Sequence, residues 1–345
     1  MRHLTGCPRS FGFRQPAEWD AHAATWGGWP FDDEEWRGQL EAARTEYAAF
    51  ARAVANCEPF WLLVADDESL DDAQSRLGSA VRYLRVPMDD VWLRDSGPIF
   101  VTRPDDATVS CVHWRFNAWG RKFDWQLDDD VPEAVVAALD LDHFDAELVF
   151  EGGSIETNGQ GVAITTRQCL LEPLRNPGLT ERDLEHVLAE YLGLTRIVWL
   201  ELGLQGDHTD GHVDTIARFV DEDTVLACVA EDASDPNHDV LAENAARLRA
   251  HFKVIEIPTP REARFFGEER LPLTYVNYCL ANGSVIVPQY GDYNDDRALE
   301  IVRHAFPGRD AIALSSAAII TSGGSFHCLT QHQPQGALWK APESI

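Results

Sequence analysis

The apolar and polar positions of this chain follow one design that recurs. Five stretches read as a strand, a turn rich in Asp, Asn or Gly, and a second apolar strand. They are DSGPIFVTRPDDATVSCVHW (95–114), EGGSIETNGQGVAITT (151–166), HVDTIARFVDEDTVLACV (212–229), YVNYCLANGSVIVPQYGD (275–292) and GGSFHCLTQHQP (323–334). The last shows only its first half clearly. Asn158-Gly159 and Asn282-Gly283 are the dipeptide that suits a tight hairpin. Between these stretches the apolar spacing turns helical, predicting helices over 32–56, 179–193, 239–252 and 295–308. In the second, Thr180 with Asp183 three residues on predicts an N-cap, and Gly193 a stop. Strands and helices together place the chain in a mixed class. Five copies of one unit suggest a ring about a pseudo-axis, with equivalent positions meeting at its centre.

Composition narrows the picture. With 345 residues and 45% hydrophobic content the chain can bury a large core, and no low-complexity or linker segment divides it. No run of about 18 apolar residues is present to span a membrane. The first residues lack the apolar segment of a secretory signal, so a cytoplasmic location is expected. Seven scattered cysteines without a CxxC pair argue against a disulfide scaffold or a thiolate zinc knuckle. Cys111, Cys228 and Cys279 sit in strand patterns and read as core filler. The 57 acids and 29 bases give a formal net charge of −28, which would repel nucleic acid and anionic membranes. Such a surface suits solubility or a salty cytoplasm, and it also suits drawing in a cationic substrate.

A few residues stand where a core would not put them. Cys328 follows two glycines and precedes Thr330, Gln331, His332 and Gln333, whereas a structural cysteine is usually wrapped in aliphatics. It reads as a nucleophile, with a thiolate favoured by a cationic substrate, by backbone N–H groups of Gly323-Gly324 or by an imidazolium. His212 and Asp214 read as strand residues sharing one face, with His212 suited to acid and base work. Asp95, before Ser-Gly-Pro, reads either as a turn cap or as a site acid. Glu151, beside two glycines, reads either as solvent-facing or as aimed at a site they keep open. Four of the five copies therefore open on a reactive residue. A thiolate, an imidazole and three carboxylates suit a planar cation with several N–H donors, and a guanidinium matches carboxylates two at a time. Trp92 is a candidate cation–π wall for that group, or plain core.

Six ordered blocks carry a family resemblance: PAEWDAHAATWGGWP (16–30), MDDVWLRDSGPIFV (88–101), FEGGSIETNGQG (150–161), GDHTDGHVDTIARF (206–219), YVNYCLANGSVIVPQYGD (275–292) and GGSFHCLTQHQP (323–334). Together the chain resembles the agmatine deiminase family, related to microbial peptidylarginine deiminases within the guanidine-modifying pentein superfamily. The resemblance implies a single catalytic domain over 1–345, folded as a five-bladed α/β propeller of strand-strand-helix-strand units. It implies a C–N hydrolase of linear amidines that converts agmatine to N-carbamoylputrescine and ammonia through an amidino-cysteine. In the roles it implies, Cys328 is the nucleophile, His212 the acid and base, Asp95 and Asp214 the guanidinium clamps, and Glu151 a partner of His212 and substrate. No metal or organic cofactor is expected. The expected partners are a small cationic guanidine and a second copy of the chain, with neither nucleic acid nor membrane.

Two departures bear on the substrate. Family members read roughly Gly-Asp-Glu-Asp-Thr before the histidine, whereas GDHTDGH is one residue shorter and puts His208 where an acid for the distal amine is expected. Either Asp207 substitutes or the partner of the amine lies elsewhere. Ser325-Phe326 also replaces a familiar Asn-Ile. The reaction class is untouched, but arginine or a peptide's C-terminal arginine stays open as substrate. Two other readings stand beside this one. A metal-dependent hydrolase would use His208, His212 and Asp214, although DGHVDT reads as a turn entering a strand rather than the helix that HxxxH spacing needs. A non-enzymatic propeller could capture cations at its acidic centre, leaving Cys328 and His212 idle.

Overall fold

The computed structural model describes residues 2–4 and 6–341. Five mixed sheets repeat one pairing scheme, and a small exposed hairpin joins Phe265–Phe266 to Glu269–Arg270. In the first sheet Ile99–Arg103 pairs antiparallel with Thr108–Arg115, which pairs parallel with His143–Val149 after the helix Val131–Leu139. The next follows the same order through Ile155–Thr157, Val162–Thr166, the helix Glu181–Leu192 and Arg196–Leu200. A third uses Ala217–Phe219, Thr224–Val229, the helix His238–Arg249 and Lys253–Pro258. A fourth uses Cys279–Ala281, Ser284–Gln289, the helix Asp295–Ala305 and Asp310–Ser315. A parallel neighbour needs a long crossover, and each helix supplies it.

The fifth sheet shows why the last copy looked incomplete in the sequence. Thr330–Pro334 pairs antiparallel with His22–Gly28, from the opposite end of the chain. That strand continues in parallel to Phe60–Val64, after the helix Leu40–Ala55, and then to Arg82–Arg85. The two ends of the chain therefore complete one unit between them.

Local chemistry accounts for the element boundaries. The Thr180 hydroxyl accepts from the Asp183 N–H while Asp183 accepts from the Thr180 N–H, a reciprocal cap, and Gly193 ends the helix in the left-handed region at φ 68°. Leu184, Leu188 and Leu192 are fully buried along its inner face, each contributing roughly 1.5–3 kcal/mol. Gly159 and Gly283 take φ 70° and 82° in their hairpins, as the Asn-Gly turns require. The helical spacing read from residue 32 is realised only from Leu40. Asp32 accepts the Glu34 N–H at 2.8 Å, and positive φ at Arg37 and Gly38 breaks the helix before it starts. Cys111, Cys228 and Cys279 are buried in apolar clusters, as core filler should be. Among the described residues no helix is long and apolar enough to cross a membrane.

Candidate active site

Side chains from the turns that open the five repeats meet in one place. Asp95 sits in the single-turn helix Leu93–Ser96, and Glu151 precedes the turn Gly152–Ser154. His212 precedes the turn Val213–Thr215, which carries Asp214. Asn277 and Cys328 each lie two residues before the first strand of their repeat. Gly153 is surrounded by three of these groups. Its N–H donates to Asp95 Oδ1 at 2.9 Å. A Cβ at this position would stand 2.6 Å from His212 Nδ1, 2.8 Å from Asp95 Oδ1 and 3.1 Å from Asp214 Oδ2. Only a residue without a side chain lets the three approach so closely. His212 Nδ1 is 3.6 Å from Asp95 Oδ1, and its Nε2 is 3.4 Å from Glu151 Oε2. Cys328 Sγ is 3.5 Å from Asp214 Oδ2. All five residues singled out in the sequence converge, and none is more than 5% exposed.

Trp92 lies in the core and at the edge of the site. A Cβ on Gly324 would touch its ring at 2.6 Å and Cys328 Cβ at 3.0 Å, so the indole borders the thiol. The same ring stacks on Trp36, with centroids 6.0 Å apart, and belongs to the core.

Several supporting residues escaped the sequence reading. Asn277 donates its side-chain N–H to Cys328 Sγ at 3.1 Å. It occupies the repeat that seemed to lack a reactive residue, and aligning the five copies would have found it. Arg175 donates through Nε to both oxygens of Glu151, at 2.8 and 2.9 Å, and through Nη1 to Asp210 at 2.8 Å. It lies in the irregular stretch LLEPLRNPG, where no periodicity marks it. Trp119 donates its indole N–H to Asp95 Oδ2 at 3.0 Å, from a segment where Ala118, Trp119 and Arg121 all have positive φ. No local sequence signal announces that backbone. His327 links Asp214 Oδ2, at 2.7 Å, to Glu18 Oε2, at 2.8 Å.

Two expectations need correction, and one alternative reading fails. His212 and Asp214 are not strand residues: the Thr215 hydroxyl donates to the His212 carbonyl at 2.8 Å and winds the chain into a turn. The polar run after Cys328 does not mark an open thiol. Thr330, Gln331, His332 and Gln333 are buried, with Trp26 donating to Gln333 at 3.1 Å and Arg94 paired with His332 at 2.9 Å. His208 packs its ring against Trp119 and Phe123, with centroids 5.1 and 5.7 Å away. Among the described residues, the set His208, His212 and Asp214 does not bring three ligand atoms within reach of one ion. Two other sets do so near the site, Glu151 with Cys169 and His212, and Glu18 with Glu156 and His327. Their carboxylates are already engaged by Arg175 and Arg218, which leaves little charge for a metal.

The electrostatics follow from enclosure. Burial raises the Cys328 thiol well above its ordinary range, and Asp214 and Asp95 push it further, against hydrogen bonds from Ser325 and Asn277. Without a cation beside it, this site holds a neutral thiol. Burial also opposes charge on His212, but Asp95 foremost, with Glu151, outweighs it and holds the ring protonated well above its usual range. Burial lifts Asp95 to about 6, against the pull of His212 and with a push from Asp214 and Glu151. Burial would raise Glu151 as well, yet Arg175 and His212 bring it down to about 2. Asp214 lies below its ordinary range because His327 overcomes its burial. Among the buried polar atoms without a hydrogen-bond partner are His212 Nδ1, Asp214 Oδ1 and Asp207 Oδ2. Unsatisfied groups of this kind in an enclosed site are the ones a ligand would satisfy.

Residues 14–334 match the Porphyromonas-type peptidyl-arginine deiminase family, a stretch that takes in the repeated strands and helices of all five sheets. The chain belongs to this family. Relatives of this deiminase include the agmatine deiminase of Stutzerimonas stutzeri strain A1501, 35% identical over 97% of this chain and 99% of that protein. The agmatine deiminase of Pseudomonas aeruginosa strain LESB58 matches with the same identity and coverage. Among solved structures, the agmatine deiminase of Enterococcus faecalis gives a TM-score of 0.93 at 29% identity, covering 97% of this deiminase and 99% of that chain. A cysteine-to-serine variant of the C. jejuni agmatine deiminase with substrate bound gives 0.89 at 29% identity, covering 94% and 97%.

Proposed function

We propose that this protein is an agmatine deiminase of the cytoplasm, whose five sheets are the blades of an α/β propeller with the site at its centre. One observation carries the reading: Cys328 Sγ lies 3.5 Å from Asp214, beside a histidine held between Asp95 and Glu151 around Gly153. A sulfur among carboxylates is a poor site for a neutral carbonyl and a good one for a guanidinium. The shared pairing scheme of the sheets, with one site turn opening each repeat, supports the propeller.

The chemistry then runs as a charge exchange. The guanidinium docks on Asp95 and Asp214, offsets the repulsion that keeps the thiol protonated, and the Cys328 proton leaves to solvent. The thiolate attacks the central carbon, and the imidazolium of His212 gives its proton to the departing nitrogen, releasing ammonia. A cationic amidino-thioether remains on Cys328. Neutral His212 takes a proton from water, the hydroxide adds to the same carbon, and collapse expels the thiolate, leaving a ureido product and one proton. Ammonia takes up one of the two released protons and Cys328 the other, so the cycle consumes guanidinium and water and yields urea derivative and ammonium. Glu151, fixed by Arg175, orients His212 throughout. The carboxylates and the covalent intermediate carry the reaction without a metal or organic cofactor.

The enclosure favours a small guanidine over a peptide, and the free Asp207 Oδ2 supports a substrate ending in an ammonium group. His208, standing where the family's distal acid is expected, favours the second reading, a deiminase of arginine or peptidyl-arginine. A panel of agmatine, free arginine and C-terminal arginyl peptides, assayed for ammonia and ureido product, tests the choice. Agmatine is expected to exceed the others in kcat/KM by on the order of a hundredfold, since both alternatives bring a carboxylate toward the buried Asp207 and the peptide also lacks the ammonium group. Equal turnover of an arginyl peptide would overturn the agmatine assignment.

A further inference from the structure

A second cluster of titratable side chains lies on the first sheet, outside the guanidine site. His3 is in register with His143 across two parallel strands, and His113 is in register with Asp145 on the other side. Asp145 is two residues beyond His143, and residues two apart on a strand share a face. Three adjacent strands thus present three histidines and one carboxylate together. His3 Nδ1 lies 2.7 Å from Asp145 Oδ2, while His143 Nε2 and His113 Nδ1 lie 3.4 and 3.7 Å from Asp145 Oδ1.

Two features point to a cation there rather than to a hydrogen-bond network. His143 is fully buried, with no hydrogen-bond partner at Nδ1 and only the Asp145 carboxylate, 3.4 Å away, facing Nε2. A buried polar group left in that state is costly unless a ligand binds it. His113 Nε2 faces the Asp129 carbonyl at 2.8 Å, and a carbonyl only accepts, so Nε2 carries the proton. His113 Nδ1 then faces the same carboxylate oxygen as His143 Nε2, so three imidazoles gather on one carboxylate.

We propose that His3, His143 and Asp145 form a binding site for a divalent transition-metal ion, with zinc the best match and water as the fourth ligand. Two imidazoles and a carboxylate are a zinc donor set, with bonds of about 2.0–2.2 Å. In a tetrahedron of such bonds the ligand atoms stand about 3.4 Å apart, and the observed His143 to Asp145 separation is 3.4 Å. Zinc would replace the proton shared by His3 and Asp145. Magnesium and calcium, which take oxygen ligands, fit this set poorly. The His3 side chain is 51% exposed and that of Asp145 32%, so an ion reaches the site from solvent without unfolding. Bound zinc would tie the two-residue strand His3–Leu4 to the sheet, a role in stability rather than in turnover.

The test is calorimetric titration of the full chain with ZnCl2, in the wild type and in Cys328→Ser, where the reactive thiol cannot compete. One ion per chain is expected in Cys328→Ser, with a rise in Tm on zinc addition because the ion binds only the folded state. His3→Ala, added to Cys328→Ser at the exposed end of the cluster, is expected to keep the fold, weaken binding by about tenfold or more and remove the Tm rise. His143→Gln should do the same. Loading with Co2+ should give d–d bands without thiolate charge transfer. No saturable binding, binding unchanged by His3→Ala, or a thiolate band would overturn the proposal.

Discussion

Asn277 and Cys328 are joined twice: the asparagine amide donates to the thiol sulfur at 3.1 Å, and the Cys328 backbone N–H donates to the amide oxygen at 3.3 Å. The first contact grows stronger when the sulfur ionises, because hydrogen bonds to charged groups are worth more than neutral ones. Replacing Asn277 with Ala should therefore cost about 1.5–3 kcal/mol, on the order of ten- to a hundredfold in kcat/KM. The alkylation rate of Cys328 in the presence of a bound guanidine should fall with it. Asn277→Asp should do more damage, since it adds an anion beside a thiol that anions already hold protonated.

Gly153 makes a sharper geometric prediction. A methyl group there would lie within 2.6–3.1 Å of His212, Asp95 and Asp214, and all three are fixed by buried contacts. Gly153→Ala should push the histidine and the carboxylates apart, destabilising the fold by only about 1–3 kcal/mol while reducing kcat by on the order of a hundredfold. Thermal melting and steady-state kinetics on the same sample separate the two effects. Full activity in this variant would show that the close approach around Gly153 is unimportant.

The pH dependence follows from Asp95. Its carboxyl, lifted to about 6 by burial, must be ionised to grip a cation, and it is ionised above that value. The guanidinium stays protonated throughout, so the acid limb of kcat/KM should belong to the enzyme and fall about tenfold per pH unit below about pH 6. An acid limb starting below pH 5 would argue against Asp95 as a clamp.

The Arg175–Glu151 pair should be a matter of stability as well as catalysis. Both side chains are buried, and removing the arginine leaves an uncompensated carboxylate. Arg175→Met should destabilise the protein by about 3–5 kcal/mol, and adding Glu151→Gln should recover part of that loss. The sign with pH follows from Glu151, whose folded value of about 2 lies below its ordinary 4.5. Its contribution is complete above about 4.5 and is lost as pH falls toward 2. Urea melts at pH 7 and pH 3.5 on wild type and Arg175→Met would show the difference shrinking in acid.

The repeat was legible because each copy carries its own hairpin chemistry, as at Asn158-Gly159 and Asn282-Gly283. Asp95, Glu151, His212, Asp214 and Cys328 were legible as reactive types at the head of those copies. The closure was hidden, since His22–Gly28 completes the unit begun at Thr330–Pro334 across nearly the whole chain. The polar residues after Cys328 misled because buried polar groups and exposed ones look alike in sequence, and only the partners, such as Trp26 for Gln333, tell them apart. Arg175 was invisible for a related reason: its position is set by Glu151 and Asp210 rather than by any local periodicity. The neutral state of the Cys328 thiol depends on enclosure, which a sequence does not display.

The most direct test is to quench the enzyme in acid during turnover of agmatine and map its peptides by mass. The peptide containing Cys328 should carry the mass of agmatine less one ammonia, and Cys328→Ala should show neither adduct nor ammonia release. Steady ureido production by Cys328→Ala, or an adduct on another residue, would contradict the account.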